Sequence, residues 1–170
     1  VIEMPVIRIQ PLQATPQIAA AMAGLGQHDI VVVTSPNGVD ALAAAMAAHG
    51  VDARHLSPEQ TFVAIGPATA DALRGMGIRA DIVPERFVGE AVLEALEGTE
   101  VEGRRVLIAR ARHARPVIAD GLRTRGAIVD DVSLYETVAV RPPDPTTHAR
   151  THDGRLPPVV RLARCPVPAA

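Results

Sequence analysis

Residues able to do chemistry fall at the ends of apolar runs in this chain. Ile30-Val31-Val32-Val33 breaks into Thr34-Ser35-Pro36-Asn37-Gly38 and passes at once into alanine-rich sequence, and Phe62-Val63-Ala64-Ile65 breaks in the same way into Gly66-Pro67-Ala68-Thr69. A third run, beginning at Arg105, opens into Arg110, Arg112 and His113, while the single tyrosine stands in Tyr135-Glu136-Thr137. Where a buried strand hands over to a helix, the first helical N–H groups lack partners and lie at the positive end of the helix dipole. Hydroxyls such as those of Thr34 and Ser35 beside these amides make a cradle for anions. Hydroxyls, backbone amides and a few guanidinium groups suit the binding of carboxylates or phosphates.

Each feature also has a plain structural role. Ser35 can serve only as an N-cap, worth about 1 kcal/mol to a helix without any ligand. Gly66-Pro67 can be a tight turn with Thr69 facing solvent, and Tyr135, mid-strand, can be packing. His113 suits a helix cap or a solvent position. His28, His49 and His55 lack the spacing of a metal site and are expected at the surface. Arg110, Arg112 and Arg115 crowd a helix start, where positive charge opposes the dipole, and this favours an anionic ligand.

The elements that must position these residues alternate between strand and helix from residue 5 to about 140, the pattern of a parallel sheet covered on both faces. Strands are expected at 6–9, 30–34, 61–65, 82–83, 105–109 and 128–140. Helices are expected at 17–25, 39–49, 68–76, 89–96 and 114–125, with Thr15-Pro16 opening the first and Gly50, Gly77 and Gly126 closing others. Five or so such units make a flavodoxin-like α/β domain. In a doubly wound sheet ligands bind outside the carboxyl ends of the strands, here at 34–38, 66–69, 87–90 and 110–113.

Composition narrows the function classes. The chain has 170 residues, enough for one domain with extensions, and no Trp, one Tyr and two Phe, so its core is built from Ala, Val, Leu and Ile. No apolar run reaches the ~18–20 residues of a membrane span, and the start lacks a secretory pattern; the chain reads as soluble and cytoplasmic. Cys165 alone makes neither a disulfide framework nor a cysteine metal site. A net charge of −2 argues against a general nucleic-acid binder. All seventeen basic residues are Arg, so no lysine in this chain can form a Schiff base or serve a P-loop. Beyond Arg141 the sequence is Pro- and Arg-rich and aperiodic, with a short candidate strand only at 159–162, and reads as disordered, poorly packed or non-native.

Thr34-Ser35-Pro36-Asn37-Gly38-Val39, Ala64-Ile65-Gly66-Pro67-Ala68-Thr69-Ala70 with Leu73, Gly77 and Ile78, Arg105-Val106-Leu107-Ile108-Ala109-Arg110, and Tyr135-Glu136-Thr137 together resemble uroporphyrinogen-III synthases over residues 5–140. The resemblance implies two similar α/β lobes joined by a pair of extended strands. It implies cyclisation of the linear tetrapyrrole hydroxymethylbilane to uroporphyrinogen III, with loss of its hydroxyl as water and inversion of the last pyrrole ring through a spiro intermediate, and without metal or organic cofactor. The substrate's eight carboxylates would be held largely by backbone amides. By the same resemblance Tyr135 assists departure of the hydroxyl, and a phenol stays protonated well above neutral pH, as a general acid should. Thr34, Ser35, Asn37, Gly38, Gly66, Ala68, Thr69 and Arg110 would bind substrate.

On this reading 1–12 is a connector strand, 13–131 one lobe, 132–141 the returning connector and 142–170 an aperiodic tail. The opening unit of the other lobe and the second pair of Thr-Ser and Gly-Pro-x-Thr turns are absent. A fragment of a longer polypeptide and a frame shift near 142–147 both account for this, and the frame shift is the expectation. The full-length protein is expected to be monomeric, with fusion to, or association with, another tetrapyrrole-pathway enzyme open. The alternative is a truncated, non-catalytic anion-binding α/β module.

Overall fold

Apolar residues on both faces of the central strands decide the architecture. The computed structural model describes residues 6–12 and 15–140. Its order is β1 (Val6–Pro11), α1 (Pro16–Ala23), β2 (Ile30–Val33), α2 (Pro36–Ala48), β3 (Thr61–Ala64), α3 (Pro67–Gly75), α4 (Gly89–Ala95), β4 (Arg105–Ala111), α5 (Val117–Thr124) and β5 (Ile128–Val140). On β2, Val31 and Val33 enter a core with Met22, Leu42 and Leu73 of α1, α2 and α3. The alternate residues Ile30 and Val32 enter a second core with Val92 of α4 and Leu122 of α5. A strand apolar at every position is thus fully used, because successive side chains point to opposite faces and both faces are covered.

The sheet order is β1-β5-β4-β2-β3. Strands β2, β3, β4 and β5 are parallel, and the layered α/β class expected from the alternation holds. Two features go beyond that expectation. Val6–Pro11 pairs antiparallel with the end of β5, Val6 opposite Val140 and Pro11 opposite Tyr135. The expected strand at 82–83 is a single parallel bridge from Ile82 to Val63. Counting that bridge as a strand gives a parallel order of 3-2-1-4-5, not the 2-1-3-4-5 of flavodoxin. From the central pair β2 and β4 the chain proceeds outward in opposite directions, so their carboxyl ends bound a switch-point crevice.

Local chemistry sets the helix ends. α2 begins at Pro36, three residues before the expected start, because Ser35 caps it and proline fits the first turn without an N–H. α5 begins only at Val117, later than the expected 114, since Pro116 forces the preceding residue out of helical geometry. Gly50, at φ 67°, and Gly126, at φ 82°, take the left-handed turns expected of helix stops. His28 corrects an expectation: it is 1% exposed, not at the surface. Its Nε2 lies 2.8 Å from Asp130 Oδ2, a partner 102 residues away that no local pattern reveals. The expected tail at 142–170, with its candidate strand at 159–162, lies outside the described residues.

Candidate active site

The switch-point crevice is built by backbone that leaves β2 and β4 together. Thr34 donates both its N–H, at 3.3 Å, and its hydroxyl, at 3.4 Å, to the carbonyl of Ala109. Ser35 stands at the N-cap in extended conformation and accepts the Gly38 N–H at 2.9 Å. The same Ser35 Oγ lies 2.7 Å from the Tyr135 hydroxyl, 100 residues along the chain. A register shift between β4 and β5 sets Ser133 opposite Arg110 but Tyr135 opposite Ala111. Such a bulge re-aims a side chain, and here the phenol reaches across β4 to the start of α2. Either hydroxyl can donate in this bond; when Ser35 does, the phenol's own proton is free for another acceptor.

Tyr135 is only 5% exposed, yet it lines a cavity of about 270 Å³ with Thr34, Ile65, Phe87, Ala111 and Arg115 among the walls. Of the residues singled out from sequence, Tyr135, Thr34 and Ser35 therefore come together. Asn37 and Ala68 sit exposed in the first turns of α2 and α3, and among the described residues their N–H groups meet no protein acceptor. The Gly38 N–H is already given to Ser35, and the Thr69 N–H to the Gly66 carbonyl at 3.1 Å. Thr69 is 1% exposed, so its side chain does not face solvent as its helical position suggests.

Gly66 is buried at the N-cap of α3, with an extended φ that any residue adopts. Its requirement is space, since a Cβ there would lie 2.8 Å from Phe87 Cδ1. Arg110 is committed to the protein. Its Nε and Nη2 grip the two Asp131 carboxylate oxygens at 2.5 and 2.8 Å, and Nη1 donates to the Ala111 and Ala114 carbonyls at 3.1 and 3.0 Å. Hydrogen bonding to Asp131 raises the Arg110 pKa above its ordinary value.

The cation that lines the cavity is instead Arg115, 70% exposed and 3.2 Å from Glu90 Oε1. Glu90 is held below the ordinary carboxylate range chiefly by its own backbone N–H, opposed in part by desolvation and aided further by the charge of Arg115. The sequence puts 87–90 at a handover and Arg115 at a helix start where its charge opposes the dipole, but does not bring Phe87 and Arg115 to one cavity. Their spacing in sequence carries no sign that they meet.

Fold and site define a doubly covered α/β lobe whose hydroxyls, unpaired helix-start amides and phenol gather at the carboxyl end of the sheet. The family model described as uroporphyrinogen-III synthase HemD matches residues 1–161, and the chain belongs to that family. It is 32% identical to the uroporphyrinogen-III synthase of Synechococcus elongatus over 139 residues, 81% of this chain and 51% of the relative. It is 31% identical to that of Escherichia coli over 137 residues, 80% of this chain and 54% of the relative. A crystal structure of a mutant uroporphyrinogen III synthase from Thermus thermophilus shares the fold, with a TM-score of 0.67 at 22% identity, covering 80% of this chain and 52% of the other. The chain thus spans about half the length of the curated relatives it matches.

Proposed function

We propose that this chain supplies one lobe of an enzyme that cyclises hydroxymethylbilane to uroporphyrinogen III in tetrapyrrole synthesis. The contact of 2.7 Å between Ser35 and Tyr135, whose side chain lines the cavity, carries the reading, because it gives the site's phenol a fixed direction. In the proposed step the Tyr135 O–H donates to the terminal hydroxyl of the substrate. The C–O bond breaks with its electron pair, water leaves, and the pyrrole nitrogen's electrons close the azafulvene cation. Ring carbon attacks that cation through the spiro arrangement, and the proton lost on rearomatisation returns to the phenolate, so the net change is cyclisation and loss of one water. The cation forms readily, so the lobe's main contribution is to hold the chain's ends in a reactive arrangement.

Asn37 and Ala68 offer the unpaired amides for substrate carboxylates, Thr34 lines the wall, and Ser35 orients Tyr135. Val6–Pro11 and the paired end of β5 would lead to the second lobe. No helix among the described residues is long and apolar enough to cross a membrane; a cytoplasmic, monomeric full-length enzyme is part of the same proposal.

The test is conversion of enzymatically generated hydroxymethylbilane by the 170-residue chain, with the ratio of isomers read after oxidation. Isomer III above the spontaneous background supports the reading. Isomer I alone, also when a lobe carrying the missing part is added, overturns it in favour of a non-catalytic anion-binding module.

A further inference from the structure

Resting on that reading, we propose that Phe87 and Arg115 form a subsite for one carboxylate-bearing pyrrole ring at the rim of the cavity, Phe87 giving the ring a flat wall and Arg115 taking one of its acid arms. Three observations converge on it. Phe87 is 60% exposed, the most exposed large apolar side chain among the described residues. Gly66 packs against it, where a Cβ would come within 2.8 Å of Cδ1, so the side chain is held on that side while most of its surface stays open. Arg115 contributes the cation of the lining, beside apolar Ile65, Val88 and Val117 and the hydroxyls of Thr34 and Tyr135.

That combination selects a ligand class. A small inorganic anion would leave the apolar walls unfilled, and a polyphosphate would call for several cations. A single guanidinium beside an aromatic face matches a flat ring with a carboxylate arm, since guanidinium pairs bidentately with carboxylate and rings stack on aromatic side chains. Arg115 is available for the exchange: its partner Glu90 is 47% exposed at 3.2 Å, and exposed pairs of this kind hold weakly. Because Tyr135 lines the same cavity, a ring held there lies beside the proposed general acid.

The experiment titrates the full chain with porphobilinogen, a monopyrrole with one acetate and one propionate arm, and with its dimethyl ester. Calorimetry reads the affinity, and the emission of Tyr135, the only tyrosine in a chain without tryptophan, reports the location. Arg115→Gln is expected to weaken the diacid about tenfold and leave the ester unchanged, and Phe87→Ala to weaken both about tenfold. Arg54→Gln, an exposed change elsewhere, should alter neither. Diacid affinity unchanged in both Arg115→Gln and Phe87→Ala, while the wild type binds hydroxymethylbilane, overturns the subsite and leaves the function standing. Failure of the wild type to bind porphobilinogen overturns the subsite, whereas isomer I alone from hydroxymethylbilane, also with the second lobe added, overturns the function on which it rests.

Discussion

Arg110 and Asp131 lock the carboxyl end of β4 to β5 through a bidentate ion pair, with side chains only 16% and 12% exposed. The third guanidinium nitrogen reaches the carbonyls of the following turn, so one side chain ties the sheet to the loop that carries Arg115. Position in the sequence places Arg110 at a binding handover, but its hydrogen bonds spend it on structure. Arg110→Gln is expected to lower stability by about 2–3 kcal/mol, because it strands a largely buried carboxylate. Denaturant melts of Arg110→Gln, Asp131→Asn and the double variant check this, with the double variant less destabilised than the sum of the singles.

Tyr135→Phe removes the hydroxyl and keeps the ring, so folding should hold while isomer III formation by the assembled enzyme falls about 100-fold, the lower end expected for a lost general acid. Ser35→Ala removes both the cap and the phenol's partner, and should cost about 1 kcal/mol of stability in addition to activity. Ser35→Thr should restore the stability and most of the rate. The paired melt and rate measurements separate the two roles of Ser35.

Two glycines in helices should respond oppositely to alanine. At Gly75 a Cβ meets nothing within 4 Å, so Gly75→Ala is expected to stabilise by about 0.5–1 kcal/mol through the unfolded chain. At Gly38 a Cβ would lie 3.2 Å from Ser35 Oγ and 3.3 Å from Val33 Cγ1. Gly38→Ala should therefore lose that gain and displace Ser35 from Tyr135. Thermal melts of the two variants, with the isomer ratio for the second, check the contrast.

Asp29 sets a pH dependence at the opposite end of the sheet. Its carboxylate accepts the Arg105 N–H at 2.8 Å and the Arg104 guanidinium at 2.9 Å. The Arg105 N–H is the main reason its pKa lies below the ordinary 3.8. A carboxyl whose pKa is lowered by folding binds its proton more tightly in the unfolded chain. Its stabilisation is thus complete above the unfolded value and is lost as pH falls through the lowered one. Melting temperatures of wild type and Asp29→Asn should differ at pH 7, begin to converge only below about pH 4, and meet once the pH has fallen below the lowered pKa.

Much of the lobe was legible from residue order. Continuous apolar runs with both faces to bury demand a covered parallel sheet, and Thr15, Ser35, Gly50 and Gly126 act within their own turns, where local spacing is enough. The handover rule likewise found Thr34 and Ser35, because the ends of strands are where side chains escape the core.

Only the tertiary structure decided which of these groups meet. Whether Arg110 serves a ligand or Asp131, and whether His28 faces water or Asp130, depends on partners 21 and 102 residues away in the chain. Phe87 on Gly66 is a contact of the same kind. Strand order and one register shift between Arg110 and Ala111 bring such partners together. A sequence records local spacing, which governs caps, turns and periodicity. Contacts across the sheet depend on strand order and register, and these are settled only when the whole core packs.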